Sequence, residues 1–343
     1  MATTPKFVFA ASTDIAEVTP AQIAKFTTKD LALLSKTQAE GLSSDQLAAV
    51  SAKLLPSLPQ IKSIQPEAFA GIPSKSIPSL PVVKLSGDQL NALTINQMAA
   101  LTTAQTSVLN KTQLSGFDEE HFAAISIKGT AKVPSPFAAI QFKNMDASVI
   151  SLITPSQIAA MSTTQITSLN SAQVAEFSSD QAVSFTVAQA ASFTNKNAPF
   201  FSADVISALD NKFLAALPAN TFSALTDTQL KAITSDQAPS ITSAQLGALT
   251  SAKVAAIDAE DIAVLSLKAI AGLSKTNIMG LTLSDLTGEE LAALSPTQLG
   301  FLSTAQISAI DPESANLLTS AAMGALTSGQ LKAISTAVLA AID

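Results

Sequence analysis

The chain contains no cysteine, tryptophan or tyrosine, and arginine is absent too, so every basic side chain is a lysine. Without cysteine there is neither a disulfide framework nor a thiolate metal site. The single histidine, His121, leaves a zinc site short of nitrogen ligands and offers no alternate for a Ser-His-Asp arrangement. Charged residues are only 13% of the chain and the formal net charge is -7. A nucleic-acid binder needs a basic face, ideally with arginine and aromatics interleaved, and none is present. Long apolar runs are missing as well. The mean hydropathy of +0.36 comes from apolar residues spread evenly among Ser, Thr, Gln and Asp, and no run approaches the roughly 18 residues that span a bilayer. The patch Phe7–Ala11 is too short for a signal-peptide core. No glycine-rich phosphate loop occurs.

What is present is a repeat of eight residues. Thr154-Pro-Ser-Gln157-Ile158-Ala-Ala-Met161 is followed by Ser162-Thr-Thr-Gln165-Ile166-Thr-Ser-Leu169 and by Asn170-Ser-Ala-Gln173-Val174-Ala-Glu-Phe177. The register holds over 19–58, 65–80, 86–125, 133–140, 146–281 and 287–342, with breaks at 59–64, 81–85, 126–132, 141–145 and 282–286. A length of 343 residues suggests about two domains, but a repeat array grows without splitting into separate cores.

Each slot has a physical reading. Slot one is nearly always Ser, Thr, Asp or Asn, whose side-chain oxygen caps a helix N-terminus. Slot four is usually Gln, as at Gln46, Gln97, Gln245 and Gln306, which completes a capping box by reaching back to the N–H of the cap. Slot two carries Pro20, Pro155, Pro296 and Pro312, at the first helical position that proline favours. Slot six carries Pro56, Pro78, Pro199 and Pro239, which cannot continue an α-helix. A helix therefore starts and stops in every repeat. One continuous helix is excluded as well, since eight residues overshoot two turns by about 80°. A β-solenoid is the rival architecture, because short strict repeats also build β-helices; the Ala, Leu and Gln content and the caps argue against it.

Slot eight is large and apolar throughout, and slot five is apolar except at Thr106. Slot seven is small, and Gly41, Gly71, Gly116, Gly272 and Gly280 all fall there, as if neighbouring backbone passes close by. Where slot five shrinks to Ala182, Ala190 and Ala198, slot eight grows to Phe185, Phe193 and Phe201, as dense packing requires. Ala39 with Leu42 and Ala238 with Ile241 do not compensate in this way. Two aliphatic side chains recover less free energy on burial than fixing eight residues costs, so a repeat needs its neighbours. The expected fold is an all-α superhelical solenoid of short single helices over 19–343, irregular and proline-rich at about 56–85, behind a non-repeat head at 1–18.

Chemistry-bearing residues all have plain readings. His121 occupies the glutamine slot of Asp118-Glu-Glu-His121-Phe122-Ala-Ala-Ile125 and reads as a capping-box substitute rather than a haem or metal ligand. The acidic groups Asp118/Glu119/Glu120, Asp258/Glu260/Asp261 and Glu289/Glu290 fall in slots one to four, where the helix dipole favours acids, and no calcium-loop pattern accompanies them. Met98, Met161 and Met323 read as core filler. Asn110-Lys-Thr112 matches a glycosylation sequon of a kind that arises by chance. No catalytic, cofactor-binding or metal-binding residue is expected.

At Leu302-Ser-Thr-Ala-Gln-Ile-Ser-Ala-Ile310 and Leu101-Thr-Thr-Ala-Gln105 the chain resembles very long bacterial exoproteins with tandem "LTTAQIAAL" octapeptides, often labelled haem-utilisation or adhesion proteins. The resemblance extends over nearly everything from Thr19 to Ile342; the proline-rich stretch Pro56–Pro81 and the head depart from that family's uniformity. It implies a secreted or surface-located structural protein and supplies no catalytic residues. The expected function is a stalk or filament subunit that associates end to end with itself or with other surface components. The expected contacts are Phe7, Val8 and Phe9 at one end and Val338, Leu339 and Ile342 at the other. A solenoid ending in an uncovered apolar repeat makes heterologous contacts that propagate. The alternative is a binding or adhesion module holding a peptide, glycan or haem in a superhelical groove; an enzyme is a remote third.

Overall fold

The computed structural model describes residues 8–129, 135–315 and 320–341. Among them every regular element is a short helix of three to six residues, and no strand occurs. The chain divides into two compact halves, Met1–Ser168 and Leu169–Asp343.

Within each half the repeats begin as the slot pattern predicts. In Thr154–Met161 the Thr154 side chain accepts from the Gln157 N–H at 3.3 Å, the Gln157 side chain accepts from the Thr154 N–H at 3.1 Å, and Pro155 opens the helix Pro155–Ala160. The same box closes at Ser43, Thr94, Thr242 and Ser303. The slot-eight residue then turns extended, as at Val50, Met161, Leu209 and Leu302, which ends the helix and redirects the chain. The repeats with proline in slot six form 3₁₀ turns: Leu55–Ser57, Ser74–Ser79, Ala198–Phe200 and Ala238–Ser240. A 3₁₀ turn needs one residue fewer between bonded groups, so it tolerates the missing N–H near the end.

The breaks divide into two kinds. Four of them are shortened repeats that keep slots five and eight and drop most of the cap. Their apolar pairs, three residues apart, are Ile61/Ile64, Val82/Leu85, Phe142/Met145 and Leu283/Leu286, all buried on 3₁₀ turns. Ile15 and Val18, in the segment expected to be non-repeat, are a buried pair of the same kind on the turn Ile15–Glu17. The sequence 126–132 carries no apolar pair at this spacing, and residues 130–132 lie outside the described ones.

The core is the set of slot-five and slot-eight side chains, buried from Ile23 through Leu47, Met98 and Leu246 to Ile307. Thr106, the polar exception in slot five, is fully buried and donates to the Pro136 carbonyl at 2.7 Å. Apart from Gly41, which faces the Ile15 side chain, the glycines of slot seven named above sit where backbones meet. A Cβ on Gly116 would lie 2.8 Å from the Cα of Gly87, and one on Gly272 would lie 2.3 Å from the carbonyl oxygen of Ser243. At Gly71 and Gly280 it would collide outright with the carbonyls of Ser44 and Ser251.

Candidate functional site

The recurring polar feature is slot four. Its glutamine is buried rather than surface-exposed; Gln89, Gln157, Gln173, Gln229 and Gln245 are at most 2% accessible. The Oε1 atom closes the local capping box, which leaves the two amide N–H groups. These donate to main-chain carbonyls of slots five and eight of another repeat. Gln245 Nε2 donates to Leu214 at 2.8 Å and to Leu217 at 2.9 Å, 31 and 28 residues earlier. Gln46 reaches Ile15 and Val18, and Gln330 reaches Leu299 and Leu302, over the same separations. Where a shortened repeat intervenes the separations fall to 28 and 25, as for Gln89 to Ile61 and Ile64 and for Gln298 to Ile270 and Leu273. With residues 126–132 and one shortened repeat between, Gln157 reaches Phe122 and Ile125 over 35 and 32. Counted in repeats, every one of these links joins a repeat to the fourth one before it, in both halves of the chain.

One side chain thus satisfies three buried backbone groups: an N-cap N–H and two carbonyls at the end of a helix turn, where orphan groups otherwise accumulate. This role explains the residue choice. A glutamate completes the capping box equally well and suits the positive end of the helix dipole better, but a carboxylate has no hydrogen to give. The dominance of Gln over Glu in slot four was the sequence signal for a distal acceptor, and the local capping reading alone misses it.

The substitutes in slot four obey the same requirement. Asn277 donates to Leu246, Thr221 to Phe193, and the Lys253 ammonium to Ser223 and Leu225. Elsewhere an apolar side chain fills the space: Val149, Val205 and Phe213 are all buried.

His121 belongs to this set. One ring nitrogen lies 2.7 Å from the Leu93 carbonyl oxygen, 28 residues back, and the other lies 2.6 Å from the Asp118 carboxylate. The ring offers no acceptor to the N-cap, and the Asp118 N–H donates to Asn91 Oδ1 at 3.1 Å instead. Asp118 is held below its ordinary carboxylate range, first by accepting the His121 main-chain N–H. His121→Gln restores the usual donor and acceptor and is expected to change stability by less than about 1 kcal/mol, whereas His121→Ala is expected to lose about 1–3 kcal/mol by stranding the Leu93 carbonyl. Thermal unfolding of the pair checks this; equal losses in both would mean that the ring does more than a glutamine can.

Slot four holds an acid in three repeats. Asp30 is half-buried and its Oδ2 accepts from the Thr27 N–H at 2.7 Å. The other two, Asp261 and Glu290, are fully buried, 6% and 2% accessible. Burial pushes both carboxyls above their ordinary values, and at Asp261 the charges of Asp258 and Glu260 add to the effect. Glu290 Oε2 accepts from the Thr287 N–H at 2.8 Å and from its hydroxyl at 2.9 Å, while Oε1 is buried with no hydrogen-bond partner. An open surface pocket beside it is lined by Val264, Leu265, Ser266, Thr287 and Glu289.

The expected assembly residues lie in different halves. Val8 is exposed, while Phe9 is buried with its ring 4.8 Å from that of Phe26. Val338 is buried in its slot-four place and Leu339 is half exposed; Phe7 and Ile342 lie outside the described residues. Met98 and Met161 are buried in the core. Asn110 of the sequon caps the helix Lys111–Leu114. Among the described residues no group of three or more His, Asp or Glu is placed to hold a metal ion, and no helix is long and apolar enough to cross a membrane. No protein-family model matches the chain, and no curated protein matches it.

Proposed function

We propose that the chain is a structural scaffold: a superhelical solenoid of single-helix repeats, about four to a turn, acting as a stalk or filament subunit at a bacterial surface or outside the cell. The observation that supports this most is the glutamine staple. A link to the fourth repeat before it, made again and again where slot four is glutamine, is the spacing that stacked turns of a solenoid produce, and its side chains are consumed in holding backbone together rather than presented to a substrate. The resemblance to octapeptide-repeat exoproteins points the same way and suggests the location.

Growth by end-to-end association with copies of itself is the second part of the proposal. Slot five is buried through the body of the chain, yet Leu331 and Leu339 in that slot are 44% and 51% exposed. These positions would accept a further turn of repeats, and a second copy docking there would make a heterologous contact that propagates. Sedimentation and electron microscopy at rising concentration are expected to show rods that lengthen, and Leu331→Glu with Leu339→Glu to reduce association at least tenfold, since two buried leucines contribute about 3–6 kcal/mol. A wild-type chain that stays monomeric at high concentration, without fibres, would refute self-association.

A further inference from the structure

We propose that Glu290 is a proton-dependent staple: its carboxyl is held as the neutral acid, and Oε1–H donates to a main-chain carbonyl of the repeat 258–265, so that the tie is made when the proton is bound and broken when it leaves.

The geometry comes from the neighbouring repeats. Gln298 and Gln306, in the next two repeats, donate to Ile270/Leu273 and to Ile278/Leu281, in each case over 28 and 25 residues across the shortened repeat 282–286. The same count from Glu290 arrives at the carbonyls of Ile262 and Leu265, and Leu265 and Glu290 line one open surface pocket. Glu290 keeps the local half of the glutamine role, with Oε2 closing the capping box on Thr287. Oε1 stands where the amide N–H groups stand elsewhere, sealed from solvent and unpartnered. An ionised oxygen there would face carbonyl oxygens with nothing to offer them, and leaving a buried charge uncompensated is costly. Protonation turns the same atom into a donor. A hard cation would meet the charge requirement too, but it takes six or more oxygen ligands, and among the described residues no cluster of acids is placed to supply them.

The charged groups around it do not supply compensation. The helix Gly288–Ala293 packs on Leu267–Ile270 and Pro312–Ala315. These carry Lys268 and Glu313, both exposed, and the helix itself carries exposed Glu289. Asp285 precedes it, and Asp261 and Glu260 lie in the repeat that Glu290 would tie. Burial is the first cause of the raised carboxyl, opposed only by the two Thr287 bonds. The sign follows: a carboxyl raised in the folded state contributes stability that is present below the unfolded glutamate value and is lost as pH rises through the folded one.

The test compares wild type with Glu290→Gln, which installs the residue common in this slot. Amide hydrogen-exchange protection over 287–294 is measured from about pH 4 to about pH 8 and corrected for intrinsic rates. Glu290→Gln is expected to be flat. Wild type is expected to match it at the acid end and to lose protection with rising pH, about tenfold for each unit by which the folded carboxyl is raised. A ¹³C-carboxyl titration is expected to place Glu290 above ordinary glutamates. Three results would each overturn the proposal: parallel profiles for the two proteins at all pH, a Glu290 carboxyl that titrates as an ordinary glutamate, or recovery of wild-type protection at high pH on adding sodium or calcium ions, which would mean that a cation fills the place.

Discussion

Gln245→Leu is expected to destabilise its surroundings by about 3–6 kcal/mol, although it leaves an apolar side chain of similar bulk in a buried slot. Three backbone groups lose their partner at once: the Thr242 N–H, bound at 2.9 Å, and the carbonyls of Leu214 and Leu217. Stranding a buried polar group costs about 1–3 kcal/mol. With Gln245 only 1% accessible, water does not readily replace it. Thr242→Ala removes only the cap acceptor and is expected to cost about 1 kcal/mol. Each variant breaks one half of the capping box, the Thr242 N–H bond in one and the bond to the Thr242 hydroxyl in the other, so the difference between them reports chiefly the long-range bonds. Hydrogen exchange over 210–217 should report the Gln245 change and not the Thr242 change. Similar losses for the two variants would show that the bonds to Leu214 and Leu217 contribute little, and the fold would then rest on apolar packing alone.

Phe193→Ala is expected to cost about 3–5 kcal/mol. The ring is 1% accessible and is surrounded by other rings, at 5.2 Å from Phe185, 5.0 Å from Phe201 and 5.8 Å from Phe213. These distances lie in the range where edge-to-face and tilted pairs add to simple burial. Phe213 stands in a glutamine slot four repeats after Ala182 and Phe185, and its ring lies 5.6 Å from that of Phe185. The bulk that slot five gives up at Ala182 is thus taken up by a phenylalanine from slot four as well as by slot eight. Ala190 is itself fully buried, so Ala190→Leu alone should overpack its site, at about 1–3 kcal/mol. In the Phe193→Ala background the same change is expected to recover part of the loss. Strict additivity in the double-mutant cycle would show that the two positions do not share volume.

The residues themselves determined where each helix begins and ends. Ser or Thr in slot one, Gln in slot four and proline in slots two and six act within one repeat, through bonds spanning three or four residues, so their effect does not depend on what lies further along the chain. The buried pair in slots five and eight was legible for the same reason, and so was the close backbone approach at the slot-seven glycines. Other features belong to the tertiary structure. The residues 59–64, 81–85, 141–145 and 282–286 look like breaks because their caps are missing; only their burial shows that each is a shortened repeat, since an apolar pair three residues apart is too common a pattern to be decisive by itself. The second half of the glutamine's work depends on which carbonyls lie opposite, and a separation of 28 or 31 residues is set by how the repeats stack, which no local rule encodes. The same holds for the exceptions. Nothing in Thr287-Gly-Glu-Glu290 distinguishes its last acid from a dipole-favoured surface glutamate; its isolation arises because the neighbouring repeats seal Oε1 away from water, in a place where glutamine elsewhere has hydrogens to donate.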